Sequence, residues 1–144
     1  LQKEEDSKIV EVLNSKDFTD LLSEITGRYK QLIIEDNDIL VMDDYHSFPL
    51  RDLSTGAKEQ VMLALRIGFA RKILGQKTAF LILDDAFQHS DYSKREVLVD
   101  RLFDLVENGW QVIYLTMDDH IKGLFEKKAE DNKNITFNFK KIIL

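Results

Sequence analysis

The sequence predicts an α/β fold built around a parallel β-sheet, and its second half carries the prediction. Residues 79–83 and 112–115 are continuous apolar runs, which are typical of strands covered on both faces. Residues 93–108 lie between them and place leucines on one helical face, so the strand–helix–strand order indicates a right-handed βαβ unit. Ligands of such sheets bind beyond the carboxyl ends of the strands, where polar residues are therefore the first functional candidates.

The first half of the chain is expected to hold a helix and a hairpin. Residues 1–27 are expected to be helical, because apolar residues recur at three- to five-residue gaps and Gly27 can cap the end. Residues 31–34 and 39–42 are short apolar runs that are expected to pair across the acidic turn between them. Residues 45–51 are expected to form a loop.

Three further helices are expected after residue 55. Residues 56–74 carry apolar side chains around most of a helical circumference, which predicts a helix buried on several sides. The helix between the two apolar strands is expected to begin with a capping box formed by Ser93 and Glu96. A short helix is expected near residues 121–128, and a terminal strand or hairpin over residues 135–144.

Composition limits the classes of function. The chain has 144 residues, about one domain, and its 44% hydrophobic and 32% charged residues are typical of a globular protein. The net charge of −6 argues against a surface that coats nucleic acid broadly. The absence of cysteine excludes disulfides and Cys-zinc sites, and it favours the cytoplasm while leaving the redox compartment open. No apolar run approaches the ~20 residues of a membrane span, so no membrane partner is expected.

Two adjacent carboxylates, Asp84 and Asp85, directly follow the first apolar strand. Adjacent side chains leave a strand on opposite sides, so the two suit different roles. One carboxylate can hold a hydrated Mg²⁺, which prefers oxygen ligands, and the other can orient or deprotonate an attacking water. An acidic turn that only ends a buried strand explains the same residues about equally well.

A second candidate ligand site lies at the start of the helix predicted over residues 56–74. The free backbone N–H groups of a helix start can bind an anion. Gly56 would allow close approach, and Ser54 would add a hydroxyl. Taken alone, this segment is better explained as an ordinary N-cap without a ligand.

Together the two segments resemble a known pair of motifs. The pattern L-S-x-G-x-x-x-Q before a helix, followed about twenty residues later by four apolar residues and two acidic ones, is similar to the signature and Walker B motifs of ABC-type ATPases. The amino-acid sequence of residues 53–66 most resembles the structural maintenance of chromosomes (SMC) class with its RecN-like and YhaN-like relatives. The resemblance covers roughly residues 20–120. The residues that match the signature motif are Ser54, Thr55, Gly56 and Gln60.

The resemblance implies a role for each matching residue. Asp84 takes the Walker B place that holds Mg²⁺, and Asp85 takes the place of the catalytic base, which is usually a glutamate. Asp91 takes the place of the D-loop aspartate, seven positions after Asp84. The signature residues would contact ATP that is held by a second head.

The sequence departs from the family pattern at two further places. The switch histidine of the family normally follows the threonine that ends the next strand, but here Thr116 is followed by Met117. His120 is the candidate substitute, although a solvated histidine at a helix start is the simpler explanation. The second departure is that no G-x-x-x-x-G-K-[ST] phosphate loop occurs; residues 75–78 resemble its end but precede a strand instead of following one.

In the SMC class the head ATPase is split, and an N-terminal segment carries the phosphate loop. The resemblance implies that this chain is the C-terminal segment, a single domain with residues 1–26 as a coiled-coil stump and residues 27–144 as the ATPase lobe. It implies ATP and Mg²⁺ as cofactors, and the N-terminal head segment and a second, identical head as partners. DNA would be reached through the complete protein, in the cytoplasm or at the nucleoid. The implied function is ATP hydrolysis at a dimer interface, coupled to DNA repair, maintenance or defence.

Two other classes of function stay open. A catalytically silent module that pairs with another ATPase head and regulates it would agree with Asp85, with Met117 and with the missing phosphate loop. A receiver-like phosphoacceptor domain would use Asp84 or Asp85 as nucleophile and Thr116 as the switch residue. It would leave the signature-like segment unexplained.

Overall fold

The computed structural model describes residues 2–75 and 77–143; Leu1, Gln76 and Leu144 lie outside the described residues. Two helices and three strands come first, and helices and strands alternate after them. The elements are α1 (Gln2–Asn14), α2 (Lys16–Thr26), β1 (Gln31–Glu35), β2 (Asp38–Met42), β3 (Ser47–Pro49), a 3₁₀ helix (Leu50–Asp52), α3 (Thr55–Leu74), β4 (Phe80–Asp84), α4 (Tyr92–Glu107), β5 (Gln111–Leu115) and α5 (Asp119–Asp131).

The βαβ unit predicted from the sequence is present. Strands β4 and β5 pair in parallel, with Phe80 opposite Gln111 and Asp84 opposite Leu115. Helix α4 connects the two strands and packs on β5. The mixed α/β class with a parallel sheet is therefore confirmed, and the carboxyl ends of both strands lie at one edge.

Only one face of the parallel pair is covered within the described part of the chain. On β4, Leu83 is buried, whereas Phe80 and Ile82 are 67% and 53% exposed. On β5, Ile113 and Leu115 of the same face are 39% and 44% exposed. The expectation of strands covered on both faces is wrong for these residues, because the described helices leave this face open.

The single helix expected over residues 1–27 is two helices, separated at Ser15. The backbone of Ser15 is extended, its hydroxyl donates to the carbonyl of Val12 at 2.7 Å and its oxygen accepts from the N–H of Phe18 at 3.3 Å. A side chain that caps a new helix in this way competes with continued helix. The expected end at Gly27 is confirmed, with a left-handed φ of 66°.

The predicted hairpin is confirmed and belongs to a three-stranded antiparallel sheet, in which β1 pairs with β2 and β2 with β3. Strand β3 lies within residues 45–51, where a loop was expected. Asp43 holds the turn into β3, because its carboxylate accepts from the backbone N–H groups of Tyr45 and His46 at 2.9 and 2.8 Å. These bonds, together with Arg28, lower the pKa of Asp43 to about 2.

The remaining expectations concern helix ends and the terminus. Helix α4 begins after Asp91, so the capping box of Ser93 and Glu96 is wrong. Residues 132–143, all within the described part, form no strand, so the terminal strand or hairpin is wrong for residues 135–143. A strand needs a partner to bond its backbone groups, and no described strand pairs with this segment.

The core joins both halves of the chain. Helix α2 packs on α3 so closely that a Cβ atom at Gly68 would lie 2.7 Å from the ring of Phe18.

The expected helix over residues 56–74 is present as α3, although Met62 and Ile73 are exposed. None of the described helices is both long and apolar enough to cross a membrane. The fully buried side chains include Phe18, Leu22, Ile67, Leu83, Leu102 and Ile121.

Candidate functional site

The candidate site lies at the carboxyl edge of β4 and β5. Asp84, the last residue of β4, is exposed. It lies on the same open face of the strand pair as Phe80 and Ile82. Asp85 follows with a φ of 43°, a left-handed conformation that is uncommon for a residue other than glycine. The two carboxylates therefore leave the strand end in different directions, as their adjacency predicts.

Asp85 contacts the end of the neighbouring strand through two hydrogen bonds. Its N–H donates to the carbonyl of Leu115 at 2.9 Å, which extends the pairing of β4 and β5 by one step. The hydroxyl of Thr116 donates to Oδ1 of Asp85 at 2.7 Å. The structure thus brings together Asp85 and Thr116, which are far apart in sequence.

The segment after Asp85, here called the 86–90 loop, is held in place by a side chain of β5. The N–H of Phe87 donates to the phenolic oxygen of Tyr114 at 3.0 Å, and the two rings pack with centroids 5.1 Å apart. Burial raises the pKa of Tyr114. Asp91 follows the loop as the residue before α4; its carbonyl accepts from the N–H of Arg95, and its side chain is exposed.

The side chain of Arg95 joins the 86–90 loop to the segment that follows β5. Its guanidinium donates to the carbonyls of Ser90 and Gln88 at 2.9 and 2.8 Å and to Oδ2 of Asp118 at 2.8 Å. Sequence reasoning missed Arg95. The available signal was its spacing. Arg95 lies three positions before Leu98 and four before Val99, and therefore on the apolar face of α4.

Residues 116–118 form the segment where the resemblance places the switch. Met117 is 95% exposed, whereas Thr116 and Asp118 face inwards to the bonds described above. Asp118 caps α5 by accepting from the N–H groups of His120 and Ile121. Burial alone would raise the pKa of Asp118, but these two bonds and the charge of Arg95 outweigh it and lower that pKa.

His120, the candidate switch substitute, packs against the start of α4. Its ring stacks on Tyr92 with centroids 4.2 Å apart. Tyr92 directly follows Asp91, so His120 lies beside the proposed D-loop and its ring is engaged there. The structure therefore associates His120 with Tyr92, and associates Thr116 with Asp85.

The start of α3 packs on the 86–90 loop. A Cβ atom at Gly56 would lie 2.4 Å from the carbonyl oxygen of His89, so glycine is required by this contact between two backbones. Glu59 reinforces the contact, because its Oε1 lies 2.7 Å from Nδ1 of His89. The glycine was expected to admit a ligand, but the structure shows it buried against the loop.

The other signature residues divide into exposed and buried ones. Ser54 is the N-cap of α3, and its hydroxyl oxygen accepts from the N–H of Ala57 at 3.3 Å. Thr55 is exposed beside it, while Gln60 is buried one turn further along. Only Ser54 and Thr55, with the free N–H groups at the helix start, are thus available to a ligand from outside the chain.

The donor set at the strand ends fits Mg²⁺ and no closed metal site. Within the described residues, no three His, Cys, Asp or Glu side chains converge to hold a metal ion. Mg²⁺ commonly takes one or two carboxylates and completes its shell with water and phosphate oxygens. The exposed carboxylate of Asp84 meets that requirement.

Comparison with known proteins shows a relative in sequence. The uncharacterized protein YhaN of Bacillus subtilis (strain 168) is 32% identical over 102 residues, which make up 69% of this chain and 11% of YhaN. The chain therefore spans a small part of the length of this curated relative. No protein-family model matches the chain.

Two solved structures show the likeness in three dimensions. One, described as "Structural biochemistry of ATP-driven dimerization and DNA stimulated activation of SMC ATPases", superposes with a TM-score of 0.68 at 14% identity, over 86% of this chain and 78% of that one. The Smc head domain of Pyrococcus furiosus, with an extended coiled coil and bound to the C-terminal domain of ScpA, gives 0.62 at 17% identity, over 80% and 30%. This chain has the fold of the C-terminal part of an SMC-like ATPase head, as the sequence resemblance implied.

The contact between Gly56 and His89 makes a specific prediction about stability. Gly56→Ala is expected to lower the free energy of unfolding by ~1–3 kcal/mol, because the new methyl group would collide with a backbone carbonyl that cannot rotate away. Denaturant unfolding measures the change. Thr55→Ala, at the exposed neighbouring position, is the control and is expected to stay within ~0.5 kcal/mol. Equal stability of Gly56→Ala and the unsubstituted chain would contradict the packing described here.

Proposed function

We propose that this chain is the C-terminal segment of an SMC-like ATPase head, which binds and hydrolyses ATP with Mg²⁺ where two heads meet. The observation that carries this proposal is the hydrogen bond between Thr116 and Asp85, beside the exposed Asp84 at the carboxyl ends of two parallel strands. Phosphoryl transfer depends mainly on positioning the reactants and on neutralising charge. This edge of the sheet supplies two carboxylates, one to hold Mg²⁺ and one to position the attacking water.

The two carboxylates would have different tasks. Asp84 would hold Mg²⁺ through its water shell, and a bound Mg²⁺ neutralises charge on the phosphate oxygens. In Asp85, the bond from Thr116 engages Oδ1 and leaves Oδ2 to orient the attacking water or to accept its proton. Aspartate is one methylene shorter than the usual glutamate, so the water would lie correspondingly closer to the strand end.

The open face of β4 and β5 is the surface that we assign to the N-terminal head segment. Four large apolar side chains are exposed there, and exposed apolar patches of this kind mark sites of association. Asp84 lies on the same face, so a segment that covers it would bring a phosphate loop next to the Mg²⁺ ligand. The four residues are Phe80, Ile82, Ile113 and Leu115.

Ser54 and Thr55 would act on ATP held by a second, identical head. They lie at the start of the twenty-residue helix α3, whose free N–H groups and positive dipole end favour a phosphate. Gly56 and Gln60 would support this surface from inside. Asp91, at the end of the 86–90 loop that packs on Gly56, would take part in the same interface.

The wider assignments follow the resemblance. We place residues 1–144 in one domain, with residues 1–26 leading towards a coiled coil. The complete protein would act in the cytoplasm or at the nucleoid, and would couple hydrolysis to DNA repair, maintenance or defence. Contact with DNA would be made by the complete protein.

A second candidate function is a silent module that pairs with another head. The observation that favours it is Met117, which occupies the switch position and projects into solvent, while His120 is stacked on Tyr92. Both candidates use the same two surfaces for association. They differ only in whether the complete head turns over ATP.

The first experiment tests Asp85 as the catalytic base. In the complete head, Asp85→Asn is expected to keep ATP binding and to lower turnover by at least ~10²-fold, because an amide cannot accept the proton of the attacking water. Phosphate release and nucleotide binding are measured side by side. Asp44→Asn, in the exposed turn after β2, is the matched control. Unchanged turnover in Asp85→Asn would remove Asp85 from this role, and absence of turnover in the unsubstituted head would favour the silent module.

The second experiment tests the action of Ser54 across the dimer. Ser54→Arg is expected to block ATP-induced dimerisation of complete heads, since a long charged side chain would occupy the space of the phosphate. ATP binding by a single head is expected to be unchanged. Size-exclusion chromatography with ATP and a binding assay separate the two effects, and Ser7→Arg on α1 is the control. A mutant that still dimerises, or that loses binding as a monomer, would show that Ser54 does not act on the second head.

A further inference from the structure

We propose that Arg95 is a positioning residue for hydrolysis, which acts through Asp118 and Thr116 to hold Asp85 in place. This role rests on the proposed function, because it concerns the same carboxylate. It assigns to a buried cation on α4 a task at the strand ends, although the side chain of Arg95 bonds neither Asp84 nor Asp85 directly.

The guanidinium of Arg95 is almost fully enclosed, and each of its three nitrogens donates a hydrogen bond. Its side chain is 8% exposed, and its nitrogens donate to two carbonyls of the 86–90 loop and to the carboxylate of Asp118. The ring of Tyr92 lies 5.0 Å from the guanidinium carbon, which adds a cation–π contact. A planar guanidinium holds its acceptors with three separate nitrogens in a fixed geometry, whereas the ammonium group of lysine has a single nitrogen.

Asp118 transmits the position of Arg95 to the catalytic carboxylate. The N–H of Asp118 donates to Oγ1 of Thr116 at 3.0 Å, and the same oxygen donates its proton to Oδ1 of Asp85 at 2.7 Å. A hydroxyl has a single proton, so a donor on one side directs that proton to the other side. Fixing Asp118 therefore fixes the direction in which Thr116 binds Asp85.

A purely structural arginine would behave differently from a positioning one. Arg95→Met removes one partner of the ion pair and leaves the carboxylate of Asp118 and two loop carbonyls without their donor, so it is expected to lower stability whatever the role of Arg95. If Arg95 only stabilises the fold, the folded Arg95→Met head should turn over ATP normally. If Arg95 positions Asp85, turnover should fall while the affinity for ATP, which depends on other residues, is kept.

The experiment combines Arg95→Met with Thr116→Val in the complete head. Each single variant is expected to lower kcat by ~10- to 100-fold, the cost of a small misplacement, with KM for ATP within about threefold of the unsubstituted head. The double variant is expected to be no slower than the slower single variant, because both substitutions break one chain of contacts. Arg95→Lys should recover only part of the loss. Arg101→Met on the same helix, which loses exposed ion pairs to Glu24 and Asp104, is the control and should retain full turnover.

The outcomes separate this role from the proposed function. Normal kcat in Arg95→Met, or losses that multiply in the double variant, would overturn the role of Arg95 and leave the ATPase assignment standing. An unsubstituted head without turnover would overturn both. If Arg95→Met does not fold, Asp118→Asn takes its place in the same cycle with Thr116→Val, because the amide oxygen of asparagine can still cap α5.

Discussion

The candidate site depends on the parallel pairing of β4 with β5, which continues for one step beyond the strands through the N–H of Asp85 and the carbonyl of Leu115. This last bond turns Asp85 towards Thr116 and directs the 86–90 loop over Tyr114. The loop then provides the surface on which the start of α3 packs. The start of α3, the pair Asp84 and Asp85, and residues 116–118 are therefore neighbours because two strands end at the same level.

The same pairing leaves one face of β4 and β5 open within the described part of the chain. The covered face of β4 contributes Leu83 to the core, while Phe80 and Ile82 on the opposite face are exposed to solvent. Burying apolar surface stabilises a protein by ~25 cal/mol per Å², so a second segment on this face would gain stability as it brings its own groups to Asp84. Under the proposed function, folding of the complete head and assembly of its nucleotide site would then be one event.

The sequence allowed the prediction of both strands, of α3 and of the acidic pair, because apolar runs and their ends are local features. It could not show the network of Arg95, since two of its three acceptors are backbone carbonyls that no residue pattern reveals. The break at Ser15 depended on one side chain that caps instead of continuing a helix. A terminal strand or hairpin was expected over residues 135–144, but a strand needs a neighbour, and the described residues supply none.

Calorimetric titration of ATP and Mg²⁺ tests the central claim, that this chain is one half of a nucleotide site. The chain by itself is expected to show no binding in the micromolar range, because a phosphate loop normally supplies most contacts to the phosphates. The same titration into a purified complex with the N-terminal head segment is expected to show micromolar binding. Micromolar binding by the isolated chain, or a complex that binds no better than the chain alone, would contradict the account.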